Sequence, residues 1–281
     1  MVIKDENLNT LFENHVDQFN NSNANAEIFI YNGKILKVYM SDDNKTRYNL
    51  KVIDKLINNK EALANIEELV LPIETITYND IPVGFVMPFI KGYTLYDLVD
   101  NYLVSEDRIR KIFIKILKAI DKFKNLPFPF YIGDLHEKNI IIDNDMNVHL
   151  IDCDSYVIDN DRYFDNNECL VGKYINNYFD NDKLKEKNNN TDYLSLLCII
   201  LSYAFKDSIE NTSNPIECIK HDERFKKLYY LIDKVENSKQ FVLNENDIEK
   251  IFDFKRNFKD IGIKENQELK KQIERIRKIG S

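Results

Sequence analysis

The sequence predicts an α+β fold: a small antiparallel β-sheet region with one helix, followed by a larger, mainly helical region. Three observations carry this. Two β-type runs, 27–31 (EIFIY) and 34–40 (KILKVYM), flank Asn32-Gly33, the strongest short hairpin signal. A second pair of strand-like runs, 69–77 and 81–90, is joined by the turn Tyr78-Asn79-Asp80. The second half of the chain reads largely as helices, with apolar residues recurring at helical spacing.

The elements follow in order. Residues 46–59 put Leu50, Ile53, Leu56 and Ile57 on one helical face. Lys91-Gly92-Tyr93 is a connector, and Thr94 is placed to cap a short helix reaching Tyr102. A longer helix begins after Ser105, with Glu106 and Asp107 at its positive end. Ile109, Ile112, Phe113, Ile116, Leu117, Ile120 and Phe123 form its apolar stripe, and Pro127 and Pro129 end it. Two short strands, 139–143 and 147–152, surround the turn 143–146. Residues 157–190 are irregular and rich in Asn and Asp. Thr191 is placed to cap a helix over 192–205, which is apolar nearly all round and therefore expected at the centre of the core. A charged helix over about 264–278, read as a solvated face, ends the chain.

Composition narrows the function classes. With 281 residues, 43% hydrophobic and 31% charged, the chain is long enough for one large domain or two lobes. A net charge of −8 argues against nucleic-acid partners, which need basic stripes to neutralise phosphates. The four cysteines, Cys153, Cys169, Cys198 and Cys218, form no CxxC pair, so neither zinc nor a disulfide framework is expected and the compartment reads as reducing and cytoplasmic. No signal peptide is expected, and the apolar stretch 194–205 falls short of the roughly 20 residues that span a bilayer. Oligomeric state is not legible.

The chemistry concentrates in residues 131–156, YIGDLHEKNIIIDNDMNVHLIDCDSY. Asp134 and Asn139 are five residues apart on a loop, and Asp152 follows thirteen residues later at the end of an apolar strand. Lys37 lies mid-strand about one small lobe earlier, and Val86-Met87-Pro88-Phe89-Ile90-Lys91-Gly92 lies between them. This set resembles the protein-kinase-like superfamily over roughly residues 20–205. The 151–156 run (IDCDSY) and the Val86-Met87-Pro88 segment are most similar to atypical bacterial Ser/Thr protein kinases. The Gly-Asp-Leu-His form of the loop also resembles aminoglycoside and choline phosphotransferases.

The resemblance implies a bilobal fold with an N-lobe over 1–87, a hinge over 88–91 and a helical C-lobe over 92–281. It implies ATP as cofactor with Mg²⁺, or Mn²⁺, and a protein Ser/Thr acceptor, without membrane or nucleic acid. Asp134 is the implied base for the attacking hydroxyl. Asn139 and Asp152 are the implied metal ligands, because hard cations take oxygen donors. Lys37 is implied to grip the phosphates. Met87, Pro88 and Ile90 are the implied adenine-side residues, with Thr94 after them. Proline keeps its carbonyl, the only group used at that hinge position, and Ile90 keeps its N–H. Asp192 is implied to tie down the loop backbone.

Five departures matter. Asn21, Asn23 and Ala26 stand where phosphate-covering glycines usually stand. The acid paired with Lys37 is expected to be Asp54, ahead of Glu61, Glu67 and Glu68. Gly133 stands where regulated kinases carry the Arg that answers a phosphorylated loop, and residues 156–190 contain no Ser or Thr. No activation-loop phosphorylation requirement is expected. His136 replaces the Lys that contacts the γ-phosphate. Asp154 replaces a glycine and is expected either as a further metal ligand or as a turn acid. Two alternatives stay open beside the Ser/Thr kinase: a small-molecule phosphotransferase, whose acidic pocket the 159–165 run and Glu168 would supply, and a pseudokinase that binds without catalysis.

Overall fold

A computed structural model describes residues 1–3, 26–100, 104–159, 190–205, 220, 225–237 and 241–252. Among these residues the fold is α+β, with mainly antiparallel sheets and seven helices. The described chain divides into two compact units. One takes Met1–Gly92 and His149–Ser155, and the other takes Tyr93–Val148 and the described residues from Tyr156 onward.

The first unit is built on a five-stranded sheet of β1 (Val2–Ile3), β2 (Ala26–Tyr31), β3 (Lys34–Tyr39), β4 (Glu74–Tyr78) and β5 (Ile81–Pro88), in the order β1-β4-β5-β3-β2. The Asn32-Gly33 hairpin forms as expected: both residues have positive φ, 50° and 69°, and Tyr31 pairs with Lys34. The second hairpin has a tighter turn than expected. Asn79 and Asp80, at φ 49° and 63°, are its only turn residues, and Tyr78 pairs directly with Ile81. The expected strand over 69–77 is shorter, because Pro72 has no N–H to offer a ladder. Ahead of it, Leu69 makes an isolated parallel bridge to Leu150. The two-residue β1, parallel to β4, is too short to leave a pattern in the sequence.

Helix α1 (Asn44–Asn58) lies close to the expected 46–59 and is followed by the short α2 (Lys60–Leu63). Its N-cap is Asp43, whose carboxylate accepts from Thr46 N at 2.8 Å and from Ser41 Oγ at 2.9 Å. Thr46, Leu50, Val52, Ile53 and Leu56 are its buried residues. On one face of the sheet Phe29, Leu36, Ile76 and Val86 form a core cluster with Val38 packed against it. Side chains alternate along a strand, so Lys37 and Tyr39 share the opposite face. There Phe85, fully buried, lies with its ring centroid 6.0 Å from Lys37 Nζ.

The second unit carries α3 (Leu95–Asp100), α4 (Glu106–Phe123), α5 (Asn190–Phe205), α6 (Lys226–Asn237) and α7 (Glu245–Ile251). The seven apolar residues expected to line α4 are all buried, together with Ala119. Residues 190–201 of α5 that are assigned a burial are all buried, in keeping with its all-round apolar sequence. The helix starts at Asn190, so Thr191 lies inside its first turn rather than ahead of it. Rings of Phe113, Tyr203 and Phe252 pack together where α4, α5 and the end of α7 meet. Strand β7 (Phe130–Tyr131) pairs antiparallel with β10 (Val157–Ile158). A further sheet of β6 (Gly92–Thr94), β8 (Ile140–Asp143) and β9 (Val148–Leu150) has the order β6-β8-β9. The expected helix over 264–278 lies outside the described residues. No described helix is long and apolar enough to cross a membrane.

At Gly84, β5 runs close against β3: a Cβ there would lie 2.1 Å from the Lys37 carbonyl oxygen. The backbone must shift to admit one. Gly84→Ala is expected to lower stability by about 1–3 kcal/mol in urea unfolding; an unchanged midpoint and slope would contradict that close approach. A second expectation concerns pH. The Thr46 amide and the Ser41 hydroxyl hold the Asp43 carboxyl below its ordinary range. Its cap therefore stabilises the fold at neutral pH and is lost as pH falls through the depressed folded value. Asp43→Ala should melt below the wild type at pH 7, with the gap closing in acid.

Candidate functional site

In the first unit Lys37 is the centre of a compact polar cluster. Its ammonium lies 2.6 Å from Asp152 Oδ1 and 2.8 Å from Asp154 Oδ1. Asp154 Oδ2 accepts from the Tyr39 hydroxyl at 2.5 Å and from Asn49 Nδ2 at 3.4 Å. Two local features bring both acids to one lysine. Leu150 N donates to Glu68 O at 2.7 Å and Val70 N to Leu150 O at 3.0 Å, which stitches the strand before Asp152 to the chain after α2. Asp152 then takes φ 65°, a left-handed conformation that Asp tolerates, and a 3₁₀ turn over Cys153–Ser155 follows. Ser155 closes that turn by donating both its N–H, at 3.1 Å, and its hydroxyl, at 2.8 Å, to Asp152 O.

The electrostatics follow from burial and charge. Burial alone would lower the Lys37 pKa, but the charges of Asp152 and Asp154 outweigh it and raise it, so the ammonium is held protonated. Burial pushes the Asp154 carboxyl above its ordinary range against the pull of Lys37. An ammonium, a phenol and an amide N–H converge on its oxygens, and a carboxylate accepts all three. Burial, then the Asp154 charge, raises the Tyr39 phenol. The Cys153 thiol is raised by the same burial, so it is an inert packing group.

Two expectations change here. Asp54, expected to pair with Lys37, instead accepts from Thr75 Oγ1 at 3.0 Å on the exposed side. It sits one residue past Ile53, about 100° around the helix from the buried stripe, whereas Asn49 points into the cluster. Asp154, expected as a metal ligand or a turn acid, has both oxygens engaged by Lys37, Tyr39 and Asn49. Among the described residues no group of three or more His, Cys, Asp or Glu side chains is arranged to hold a metal ion.

In the second unit the 131–139 loop is organised from beneath by Asp192. Its nearly fully buried carboxylate accepts from Ile132 N at 3.0 Å and from Gly133 N at 3.3 Å, the tie that the resemblance implies. Asp134 N donates to Ile132 O at 2.9 Å, closing a three-residue turn about Gly133 at φ 78°. Glycine is therefore the residue this backbone geometry favours. Asn139 Nδ2 donates to Asp134 O at 3.1 Å, which leaves its Oδ1 as the acceptor end. His136 Nδ1 accepts from Lys138 N at 3.2 Å, so a neutral ring carries its proton on Nε2. Nε2 lies 3.8 Å from Asp134 Oδ2, too far for a hydrogen bond.

The remaining expected residues are placed as follows. Met87 is buried and pairs with Ile35, and Pro88 ends β5 opposite Lys34. Ile90 is half-buried beyond the strand. Thr94 Oγ1 accepts from Asp97 N at 3.1 Å and donates to Asp97 Oδ2 at 2.7 Å, capping α3. Ala26 is buried at the start of β2, paired with Tyr39. Asn21, Asn23, Glu168 and residues 160–165 of the acidic run lie outside the described residues. Sequence reasoning did not single out Tyr39, Asn49, Gly84 or Ser155. For Tyr39 a signal existed, because a polar aromatic two residues after Lys37 must share its strand face. No protein-family model matches the chain, and no curated protein matches it either.

The Asp192 tie yields a stability test. Asp192→Ala leaves two buried N–H groups without their charged acceptor and is expected to cost about 3 kcal/mol or more in chemical unfolding. Asp192→Asn, which keeps one acceptor oxygen, should cost less. Equal losses would mean that the two amides do not depend on the carboxylate.

Proposed function

We propose that this chain is an ATP- and Mg²⁺-dependent phosphotransferase acting on a protein serine or threonine hydroxyl, without a requirement for activation-loop phosphorylation. The observation that carries the reading is the 2.6 Å ion pair between Lys37 and Asp152, two residues 115 positions apart that the resemblance assigns to one nucleotide. The Asp192 tie beneath Gly133 and Asp134 supports it, because a base for phosphoryl transfer must be positioned rather than merely present.

The donor chemistry fits a hard divalent cation. Asp152 keeps a side chain 32% exposed, and Asn139 presents an amide oxygen; the resemblance makes each of them a ligand for Mg²⁺. When bound, the ion neutralises charge on the phosphate oxygens. Lys37 binds the phosphates through its permanent positive charge. Asp134 orients the acceptor hydroxyl and takes its proton. The hydroxyl oxygen bonds to the γ-phosphorus as the bond from phosphorus to the β,γ-bridging oxygen breaks. ADP leaves with that electron pair. His136 Nε2–H is a donor where a Lys is usual, so it would contribute a hydrogen bond to the phosphate.

Incubation with γ-labelled ATP and Mg²⁺ tests the reading. Label is expected in protein, through a Ser or Thr, and lost on chelation. Asp134→Asn should lower the rate by about 10²–10⁴-fold, and Asp152→Ala should abolish it. Label confined to small molecules would favour the small-molecule phosphotransferase. Nucleotide binding with no Asp152-dependent turnover would favour a non-catalytic binding module and end the enzyme reading.

A further inference from the structure

The more enclosed of the two acids at Lys37 comes from an unexpected element. Helix α1 presents a neutral amide to the cluster, Asn49, 3.4 Å from Asp154 Oδ2. Two carboxylates reach the lysine, and they differ in enclosure. Asp152 has a side chain 32% exposed, and the proposed function commits it to the metal. Asp154 is 5% exposed, engages Lys37 with one oxygen and takes the Tyr39 hydroxyl and the Asn49 amide on the other. Tyr39 and Lys37 lie two residues apart on one strand face, so both donors are fixed by β3 itself. A carboxylate with three protein donors and little solvent has no free edge for a cation.

We propose that Asp154 is a positioning residue that holds Lys37 for nucleotide, a task divided here between the 3₁₀ turn after Asp152 and the β3 hydroxyl of Tyr39 rather than given to an acid on α1. The inference rests on the proposed function for its nucleotide role, but the pairing itself is independent of it. Lys37 then stays anchored when Asp152 is engaged elsewhere. The neutral Asn49 is part of the same device, since a carboxylate there would face the Asp154 carboxylate instead of donating to it.

Reductive methylation of Lys37, read by mass spectrometry on the full chain without nucleotide or metal, tests the pairing. Asp154→Asn keeps the volume and removes the charge; it should speed methylation by about tenfold, because the amine loses the carboxylate that holds it at 2.8 Å. Adding Asn49→Glu to that variant should return the rate toward wild type. A folded Asp154→Asn chain with unchanged methylation overturns the proposal. Should that variant not fold, Asp154→Ser takes its place, and unchanged methylation there overturns the proposal equally. The nucleotide arm measures ATP affinity without added metal. Asp154→Asn should weaken it about tenfold and the double variant should restore it. Wild-type protein that binds no ATP while the methylation pattern holds would defeat the proposed function and leave only the pairing. Altered methylation with unaltered ATP affinity would defeat the positioning role alone.

Discussion

An ammonium on the inner face of a β-sheet is tolerable only with its countercharges in place, and in this chain that requirement falls on Lys37. Desolvating an ion costs several kcal/mol, and removing one member of a buried pair costs about 3–5 kcal/mol. Phe85 lies close to the ammonium and Tyr39 follows two residues along the strand, so the ammonium keeps only part of its solvation. The charges come from Asp152 and Asp154. That need explains why residues 149–155 belong with a sheet from which they are distant in sequence. It also explains the backbone around them. Leu150 is bonded to Glu68 and Val70, Asp152 turns left-handed, and Ser155 locks the turn so that alternate residues aim at one lysine.

The second unit solves a different problem with the same chemical group. Asp192 is an acid on the first turn of an almost wholly apolar helix, and its carboxylate is spent on two backbone N–H groups instead of a cation. A turn as tight as the one about Gly133 leaves amides without ladder partners, and buried amides must find acceptors. A single buried carboxylate thereby fixes the backbone on which Asp134 and Asn139 stand. Asn139 adds its own restraint through the Asp134 carbonyl.

Much of this was legible beforehand, and the exceptions have physical causes. Asn32-Gly33 named its hairpin because type I′ geometry needs two left-handed residues. The apolar stripe of α4 was visible because seven matches to a 3.6 period leave little ambiguity. Pro72 shortened β4 in a way that a run of β-formers concealed. Asp54 was preferred for Lys37 because sequence supplies a list of acids but not the rotation of a helix about its axis. One residue of rotation separates a buried stripe from a solvent-facing carboxylate, and Asn49, being neutral, offered no charge to notice. Gly133 was noticed for the side chain it lacks, whereas its φ of 78° is a constraint that only coordinates reveal.

The Asp-Cys-Asp-Ser turn illustrates how far its surroundings depend on one acid. Glycine at position 154 would leave Lys37 with Asp152 alone and the buried Tyr39 hydroxyl without its acceptor. An acid there supplies both, but it must itself be desolvated, and burial raises its pKa accordingly. Three donors offset that penalty, two of them from β3 and one from α1. Each donor is therefore explained by the acid, and the acid by the lysine. A lysine at 37, a tyrosine at 39, a neutral amide at 49 and an acid at 154 form one electrostatic unit, with the acid as the partner that the other three share.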